Sequence, residues 1–278
     1  MVDKFVYDTG IKGANILILG AVHGNEVSGT NALFELKEKL DNKEVVLKSG
    51  CLTIIPVANP LAFEQKVRFV EKNLNRIIGV YDNPQCVEEE FASEIAREIL
   101  KNEYVLDLHS THNQGEEPFV FLDYPTAENK KMVDAVDVSF VVTNWPDIYE
   151  NSGMADMSTE KFSYINNVNA ITVECGYHND VNSLEIAKNT IYNVLIKLDM
   201  LQGLVFQRNK QYVKMKTNVV KIKEGYLTKS YKHLDNVFKG DVLAVYEDGT
   251  KIEAKEDGFI LIPNHDATID LEWFYLAS

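Results

Sequence analysis

Cysteine is scarce in this sequence of 278 residues, and long apolar runs are missing from it altogether. The three cysteines, Cys51, Cys86 and Cys175, form no CxxC pair or other regular spacing. This argues against a disulfide framework and predicts a reduced, cytoplasmic location. No stretch approaches the roughly 20 apolar residues of a membrane-spanning helix, and the opening MVDKFVYDTG has no apolar core of a signal peptide. A membrane partner is therefore not expected.

Positive charge is also in short supply. The chain has 28 lysines and arginines against 42 aspartates and glutamates, which gives a net charge of -14. Such a balance disfavours binding to nucleic-acid phosphates, so nucleic acid is not expected as a partner. The oligomeric state is left open by the sequence. Only four basic residues are arginines, and two of them, Arg68 and Arg76, lie in one short segment.

Residues 1–207 alternate apolar runs with amphipathic segments. Apolar runs at 16–21, 52–58, 104–109, 138–143 and 170–174 predict strands that are buried on both faces. Apolar residues recur at helical spacing in VEEEFASEIAREILK and again over residues 184–198. This alternation predicts an α/β domain with a largely parallel central sheet flanked by helices.

The pattern changes after residue 207. From 208 to 278 there is no helical stripe, and short alternating runs are separated by the turn signals KGD, EDGT and EDG. This segment is predicted to be a small all-β domain.

Polar residues follow three of the predicted strands. His23 and Glu26 come just after the run at 16–21, His109 ends the run at 104–109, and Glu174 ends the run at 170–174. Because the carboxyl ends of parallel strands share one edge of a sheet, these side chains are expected to meet. Two histidines and a glutamate form a known catalytic zinc set, with Glu174 left as a general base for the bound water. The alternative for Glu26 is ordinary first-turn helix chemistry.

Two further residues near His109 have alternative interpretations. Asp107 shares a strand face with His109, so it either orients a ligand histidine or caps a neighbouring helix. His112 either competes as a ligand or lies on the rim of the pocket. In the β domain, His233 and His265 are expected at the surface.

The segment NPLAFEQKVRFVEKNLNRIIG contains Arg68, Asn75 and Arg76. These side chains offer planar donors suited to a carboxylate and a carbonyl oxygen. The alternative is a pair of surface arginines, which the scarcity of arginine in this chain disfavours.

In order and spacing, the motifs AVHGNE, NP with LNR, DLHST and VECG resemble those of the succinylglutamate desuccinylase and aspartoacylase family. The resemblance covers most of residues 14–180. That family is a branch of the zinc carboxypeptidase fold. The resemblance therefore implies a zinc carboxypeptidase-like sheet, mostly parallel or mixed and flanked by helices, with a small C-terminal β domain.

The resemblance also implies roles for individual residues. Glu174 would act as general base and then protonate the leaving amine, and Arg68 would stabilise the oxyanion of the scissile carbonyl. Asn75 and Arg76 would bind a substrate carboxylate. One zinc per chain would be held by His23, Glu26 and His109.

The chain departs from the family pattern before the glutamate strand. Aspartoacylases carry a further arginine there for a second substrate carboxylate, whereas the stretch STEKFSYINNVNAITVE has only Lys161. N-acetylaspartate is therefore not expected to be the best substrate. Either Lys161 binds a second acidic group or the pocket takes a less acidic acyl amino acid, and His178 is a further candidate to line it.

These features predict a zinc-dependent amidohydrolase that deacylates a small N-acyl amino acid or a related carboxylate-bearing amide. The alternatives are a zinc carboxypeptidase that acts on peptides and a non-catalytic metal- or ligand-binding relative. A β domain that covers the site would favour small substrates over peptides.

Overall fold

The computed structural model describes residues 1–151, 157–205 and 208–278. Its helices are α1 (Val27–Asp41), α2 (Pro60–Gln65), α3 (Val87–Ile99), α4 (Ala127–Ala135), α5 (Trp145–Asn151), α6 (Thr159–Ile165) and α7 (Val181–Lys197). Its strands are β1 (Phe5–Asp8), β2 (Asn15–Gly20), β3 (Cys51–Ile55), β4 (Tyr104–Thr111), β5 (Phe119–Phe121), β6 (Phe140–Thr143), β7 (Asn169–Tyr177), β8 (Gln211–Val220), β9 (Gly225–Leu227), β10 (Asp235–Val237), β11 (Val242–Tyr246), β12 (Lys251–Glu253), β13 (Gly258–Leu261) and β14 (Glu272–Ala277).

An eleven-stranded mixed sheet forms the centre of the molecule, in the order β1-β3-β2-β4-β7-β5-β6-β8-β14-β13-β10. The strands β3, β2, β4 and β7 are parallel neighbours. At the other end, β14 and β13 continue the sheet in antiparallel pairs. The predicted α/β fold, with a mostly parallel or mixed sheet flanked by helices, is confirmed, and each of the five predicted strands is present.

The apolar runs are buried on both faces because the two sides of a strand face different helices. In β2, Ile16 and Ile18 pack in a core that contains the apolar faces of α1 and α7. Leu17 and Leu19 point the other way, into a core formed with α3. A sheet covered in this way leaves the ends of its strands as the place for polar side chains.

The described part of 208–278 contains strands and no helix. Strand β8 pairs with β6, so strands from this segment join the central sheet. A second, three-stranded sheet is formed by β12, β11 and β9. The division into domains 1–207 and 208–278 stays a prediction, and residue 207 lies outside the described residues. Within the described ranges, no helix is long and apolar enough to span a bilayer.

Candidate active site

The polar residues predicted at the strand ends come together. His23 lies in the turn after β2, Glu26 directly precedes α1, and His109 lies in β4. All three side chains are buried, and one ligand atom from each lies within 4.8 Å of the other two. Glu174 in β7 is the cross-strand partner of His109. The register of β4 and β7 therefore places the predicted general base beside the candidate metal ligands.

The two histidines turn the same ring nitrogen toward the centre of the group. Nδ1 of His23 lies 2.8 Å from Oε1 of Glu26, and Nδ1 of His109 lies 2.9 Å from Oε2. The opposite nitrogens are used elsewhere: Nε2 of His23 lies 3.1 Å from Oδ1 of Asn73, and Nε2 of His109 lies 3.0 Å from Oδ2 of Asp107. Outer partners of this kind fix the tautomer and leave Nδ1 to bind a metal. Of the two alternatives given for Asp107, its position beside Nε2 of His109 agrees with the orientation of a ligand histidine.

Burial and charge act in opposite directions on these histidines. Burial, helped by the charge of Arg68, lowers the pKa of His23 to about 4. Burial also disfavours the charged form of His109, but the charges of Asp107 and Glu26 outweigh it and hold the pKa of His109 well above its usual range. A cation between the rings would favour the neutral, ligating form of both.

Close packing explains the glycine between His23 and Glu26. A Cβ on Gly24 would lie 2.1 Å from the backbone carbon of Ala62 in α2. The Gly24 amide donates to the carbonyl of Arg68 at 3.1 Å. The glycine therefore holds this turn against the segment that carries the arginines.

Arg68 contacts the candidate metal group directly. Its Nη1 donates to Oε1 of Glu26 at 2.8 Å, while Oε2 of Glu26 accepts from the Ser110 amide at 3.1 Å. The Arg68 side chain is about half exposed, at 48%. Its guanidinium can therefore reach both the ligand group and a molecule in the adjoining cavity.

One cavity of about 430 Å³ opens onto this group. Lys161 is partly buried on α6 and is not among its lining residues, so its substrate-binding role stays a prediction. Eight of the nine site residues suggested by the sequence line the cavity: His23, Glu26, Arg68, Asn75, Arg76, His109, Glu174 and His178.

Glu174 is suited to accept a proton. Its Oε2 is buried and has no hydrogen-bond partner among the described residues. Burial and the charge of Glu26 raise the pKa of Glu174 to about 8, although His109 and Arg68 act in the opposite direction. A pKa shifted toward neutrality in a cavity is typical of catalytic acids and bases.

The Asn75–Arg76 pair is held by contacts from several elements. Thr159 at the start of α6 donates its amide to Oδ1 of Asn75 at 3.1 Å, which leaves the NH₂ group of Asn75 as a donor. Nη2 of Arg76 donates to the hydroxyl of Tyr149 at 2.6 Å, and its guanidinium lies over the Tyr149 ring at 4.7 Å. The Tyr149 hydroxyl in turn donates to Glu272 of β14.

Several residues of the site were missed by sequence reasoning. Asn73 links His23 to the Asn75 amide, at 3.1 and 3.0 Å, and its place two residues before Asn75 in LNR was the available signal. No sequence signal marked Tyr149 as a site residue, because a buried tyrosine is usually a core residue. The C-terminal segment also contributes lining residues to the cavity, which no local pattern indicated: Ile262, Asn264, Asp266, Glu272 and Tyr275.

The remaining histidines have different places. His178 lines the cavity, with its Nδ1 3.5 Å from Oγ of Ser110. His112 also lines it but is exposed and does not belong to the metal-ligating group found among the described residues. His233 was wrongly expected at the surface: it is 2% exposed and stacked on Phe119 at 4.1 Å between ring centroids, while His265 is exposed.

The fold and the site together define an α/β protein with a buried His-Glu-His group that could hold a metal ion. Residues 12–198 match the model of the succinylglutamate desuccinylase/aspartoacylase catalytic domain. The chain therefore belongs to the succinylglutamate desuccinylase/aspartoacylase family, and the predicted resemblance is confirmed.

Individual relatives agree with this assignment. A probable aspartoacylase from Nostoc sp. is 32% identical over 34% of this chain and 35% of its own length. An N-acyl-aromatic-L-amino acid amidohydrolase from Xenopus laevis is 29% identical over 35% of this chain and 34% of its own. The matches thus span about a third of these relatives. The solved structure of an ectoine utilization protein from Ruegeria pomeroyi has a TM-score of 0.82 at 22% identity, covers 100% of this chain and 89% of its own, and shows the shared fold.

Proposed function

We propose that this protein is a zinc-dependent amidohydrolase that cleaves the amide bond of a small N-acyl amino acid or a related carboxylate-bearing amide. One observation carries the proposal. The buried group of His23, Glu26 and His109 lies beside Glu174 in the same cavity as the Arg68 and Arg76 guanidinium groups. The named relatives, an aspartoacylase and an N-acyl amino acid amidohydrolase, support the same chemistry.

The residues present fit one zinc ion per chain. Two imidazole nitrogens and a carboxylate converge within 4.8 Å, and this donor set leaves a coordination position open. Outside this group, Nε2 of His23 is hydrogen-bonded to Asn73 and Nε2 of His109 lies 3.0 Å from Oδ2 of Asp107, and such outer partners orient ligand histidines. When bound, zinc supplies a Lewis acid that acidifies water and polarises a carbonyl group.

The protein's own groups carry the proton transfers. Glu174 accepts a proton from the attacking water and later gives it to the leaving amine. The absence of a hydrogen-bond partner for its Oε2 among the described residues supports this role. The Arg68 guanidinium offers a donor to the carbonyl oxygen as negative charge develops there.

Asn75 and Arg76 would recognise the carboxylate of the substrate. Arg76 offers planar donors, and the Asn75 amide adds another. Tyr149 orients the Arg76 guanidinium through the 2.6 Å hydrogen bond to Nη2. The carboxylate would thus be bound on one side of the cavity and the amide placed at the metal group.

The shape of the cavity favours a small substrate over a peptide. Residues of the C-terminal segment, including Ile262, Glu272 and Tyr275, line the same cavity as the metal group. A carboxypeptidase needs an open groove for the rest of its peptide. A non-catalytic relative would have no use for the buried carboxylate of Glu174.

A panel of acylated substrates tests the proposal. The zinc-loaded protein is given N-acetyl and N-succinyl amino acids together with N-blocked dipeptides, and the release of free amine is measured. We expect at least one acyl amino acid to be hydrolysed with a kcat/KM above that of every dipeptide. A preference for dipeptides would establish the carboxypeptidase alternative, and no release from any compound would establish the non-catalytic one.

A further inference from the structure

Asn75, which is assigned above to the substrate carboxylate, is connected to His23 through Asn73. Nε2 of His23 lies 3.1 Å from Oδ1 of Asn73, and the same oxygen accepts from the Asn75 amide at 3.0 Å. Because an amide oxygen only accepts, Nε2 of His23 carries the proton, which leaves Nδ1 as the metal-binding nitrogen. The backbone of Asn75 is thus fixed relative to the first candidate metal ligand.

Thr159 connects the side chain of Asn75 to the second histidine. It is the first residue of α6. Its hydroxyl donates to Oδ2 of Asp107 at 2.6 Å, and its amide donates to Oδ1 of Asn75 at 3.1 Å. The same Oδ2 of Asp107 lies 3.0 Å from Nε2 of His109. One residue therefore contacts both the carboxylate beside a candidate metal ligand and the side chain assigned to substrate binding.

The contacts of Thr159 are shielded from water. Thr159 and Asp107 are each 0% exposed, and Asn75 is 9% exposed. Hydrogen bonds in such a place are stronger than at the surface, and the loss of one leaves a buried polar group without its partner. Oδ1 of Asp107 has no partner among the described residues. The Thr159 hydroxyl therefore has a large share in holding this carboxylate in place.

Through these contacts, a change at the metal group can affect Asn75. Metal binding at Nδ1 of His109 would fix the ring and so favour one position of Asp107 beside Nε2. The Thr159 hydroxyl follows that carboxylate, and the amide of the same residue then determines where Oδ1 of Asn75 lies. Thermodynamic linkage makes such an effect reciprocal, so a carboxylate bound by Asn75 favours metal binding to the same degree.

We propose that Thr159 is a positioning residue that couples the metal group to Asn75, so that zinc and the substrate carboxylate each strengthen the binding of the other. Thr159 is not among the residues that line the cavity. It therefore acts through Asp107 and Asn75 and not by touching the substrate. This inference rests on the proposed function, because it concerns the metal and the carboxylate of the same site.

Zinc affinity, measured by competition with a chromophoric chelator, tests the metal side of this coupling. Thr159→Val removes the hydroxyl at nearly constant size and should weaken zinc binding by about tenfold, as expected for the loss of an outer partner. Thr159→Ser keeps the hydroxyl and should stay within about threefold of the wild type. The matched control is Thr190→Val, because Thr190 in α7 is equally buried and its Oγ1 has no partner among the described residues. Wild-type zinc affinity in a folded Thr159→Val variant, or in Thr159→Ala if valine is not accommodated, would overturn the inference.

Calorimetry tests the substrate side. Metal-free and zinc-loaded Glu174→Gln protein, in which turnover is expected to be slow, is titrated with the N-acetyl amino acids of the panel. The compound that binds best should bind at least about fivefold more tightly to the zinc-loaded form, and adding Thr159→Val should reduce this ratio by at least about half. Direct contact of the compound with zinc is the same with and without Thr159→Val, and a merely structural role of Thr159 would change both affinities but not their ratio. An unchanged ratio, or no binding of any compound, would overturn the inference.

These binding measurements separate this inference from the proposed function, because neither of them requires hydrolysis. If the wild type cleaves no acyl amino acid but the zinc affinity and the binding ratio both depend on the Thr159 hydroxyl, the coupling stands and the hydrolase assignment falls. If acyl amino acids are cleaved and neither quantity depends on that hydroxyl, the coupling falls and the hydrolase assignment stands.

Discussion

Replacement of Glu174 by glutamine tests the proposed proton transfer while the fold and the metal ligands stay the same. The amide has nearly the same size as the carboxyl group but cannot accept a proton. Removal of a general base typically lowers turnover by about 10²–10⁴-fold, which corresponds to roughly 2.7–5.5 kcal/mol at 1.36 kcal/mol per factor of ten. We expect a loss in this range for release of free amine by Glu174→Gln.

The structure also predicts what this change leaves intact. Oε2 of Glu174 has no hydrogen-bond partner among the described residues, so the substitution breaks no bond there. Burial and the charge of Glu26 raise the pKa of Glu174 from 4.5 to about 8, so charging this group costs on the order of 5 kcal/mol more than in water. That penalty grows as the pH rises from 4.5 to 8, and a neutral glutamine avoids it. The Tm of the metal-free variant at pH 8 should therefore equal or exceed that of the wild type.

Two controls make the outcome decisive. Elemental analysis should give the same zinc content for wild type and Glu174→Gln, because Glu174 is not among the candidate ligands. Glu117→Gln, an exposed glutamate outside the cavity, should keep wild-type turnover. If Glu174→Gln retains its zinc and stays within about tenfold of the wild-type rate, Glu174 is not the general base.

Four further substitutions test neighbouring parts of the site. His109→Ala should lose most of its zinc by elemental analysis, since one of three protein ligands is gone; full retention would move that ligand elsewhere. Arg76→Lys should raise KM by about tenfold with kcat nearly unchanged, because lysine keeps the charge without the planar pair of donors, whereas Arg68→Lys should lower mainly kcat. Tyr149→Phe removes the acceptor at 2.6 Å from Arg76 and should raise KM by a few fold; an unchanged KM would show that Tyr149 does not orient the guanidinium.

The parts of the fold that the sequence predicted depend on local signals. Continuous apolar runs with β-branched residues specify strands buried on both faces, and a polar residue at the end of such a run marks the ligand-binding edge. This is why His23, His109 and Glu174 could be placed before any contact was known. The short strands β1 and β5, of four and three residues, have too few side chains to show a period and were not predicted.

The charge inside the cavity depends on helix phase and on distant segments. On α6, a step of one residue decides whether Glu160 or the neighbouring Lys161 lines the cavity, and the apolar pattern around KFSYI did not resolve that phase. Asp123, Tyr149 and Glu272 are contributed by parts of the chain that lie far from the metal-binding motifs. No spacing rule connects such residues, because only the tertiary fold brings them together.

The Arg76–Tyr149–Glu272 chain connects strand β14 to one of the proposed carboxylate-binding residues. Glu272 lies on β14, which belongs to the eleven-stranded sheet and pairs with β8. Its contact with Tyr149 fixes the hydroxyl that accepts from Arg76. The proposed carboxylate-binding residues are therefore linked to the C-terminal strand β14, whereas the candidate metal ligands lie in the turn after β2, just before α1 and in β4. A substitution in β14 should accordingly change KM and substrate preference more than metal content. A substitution in the turn around Gly24 should change metal content more than KM.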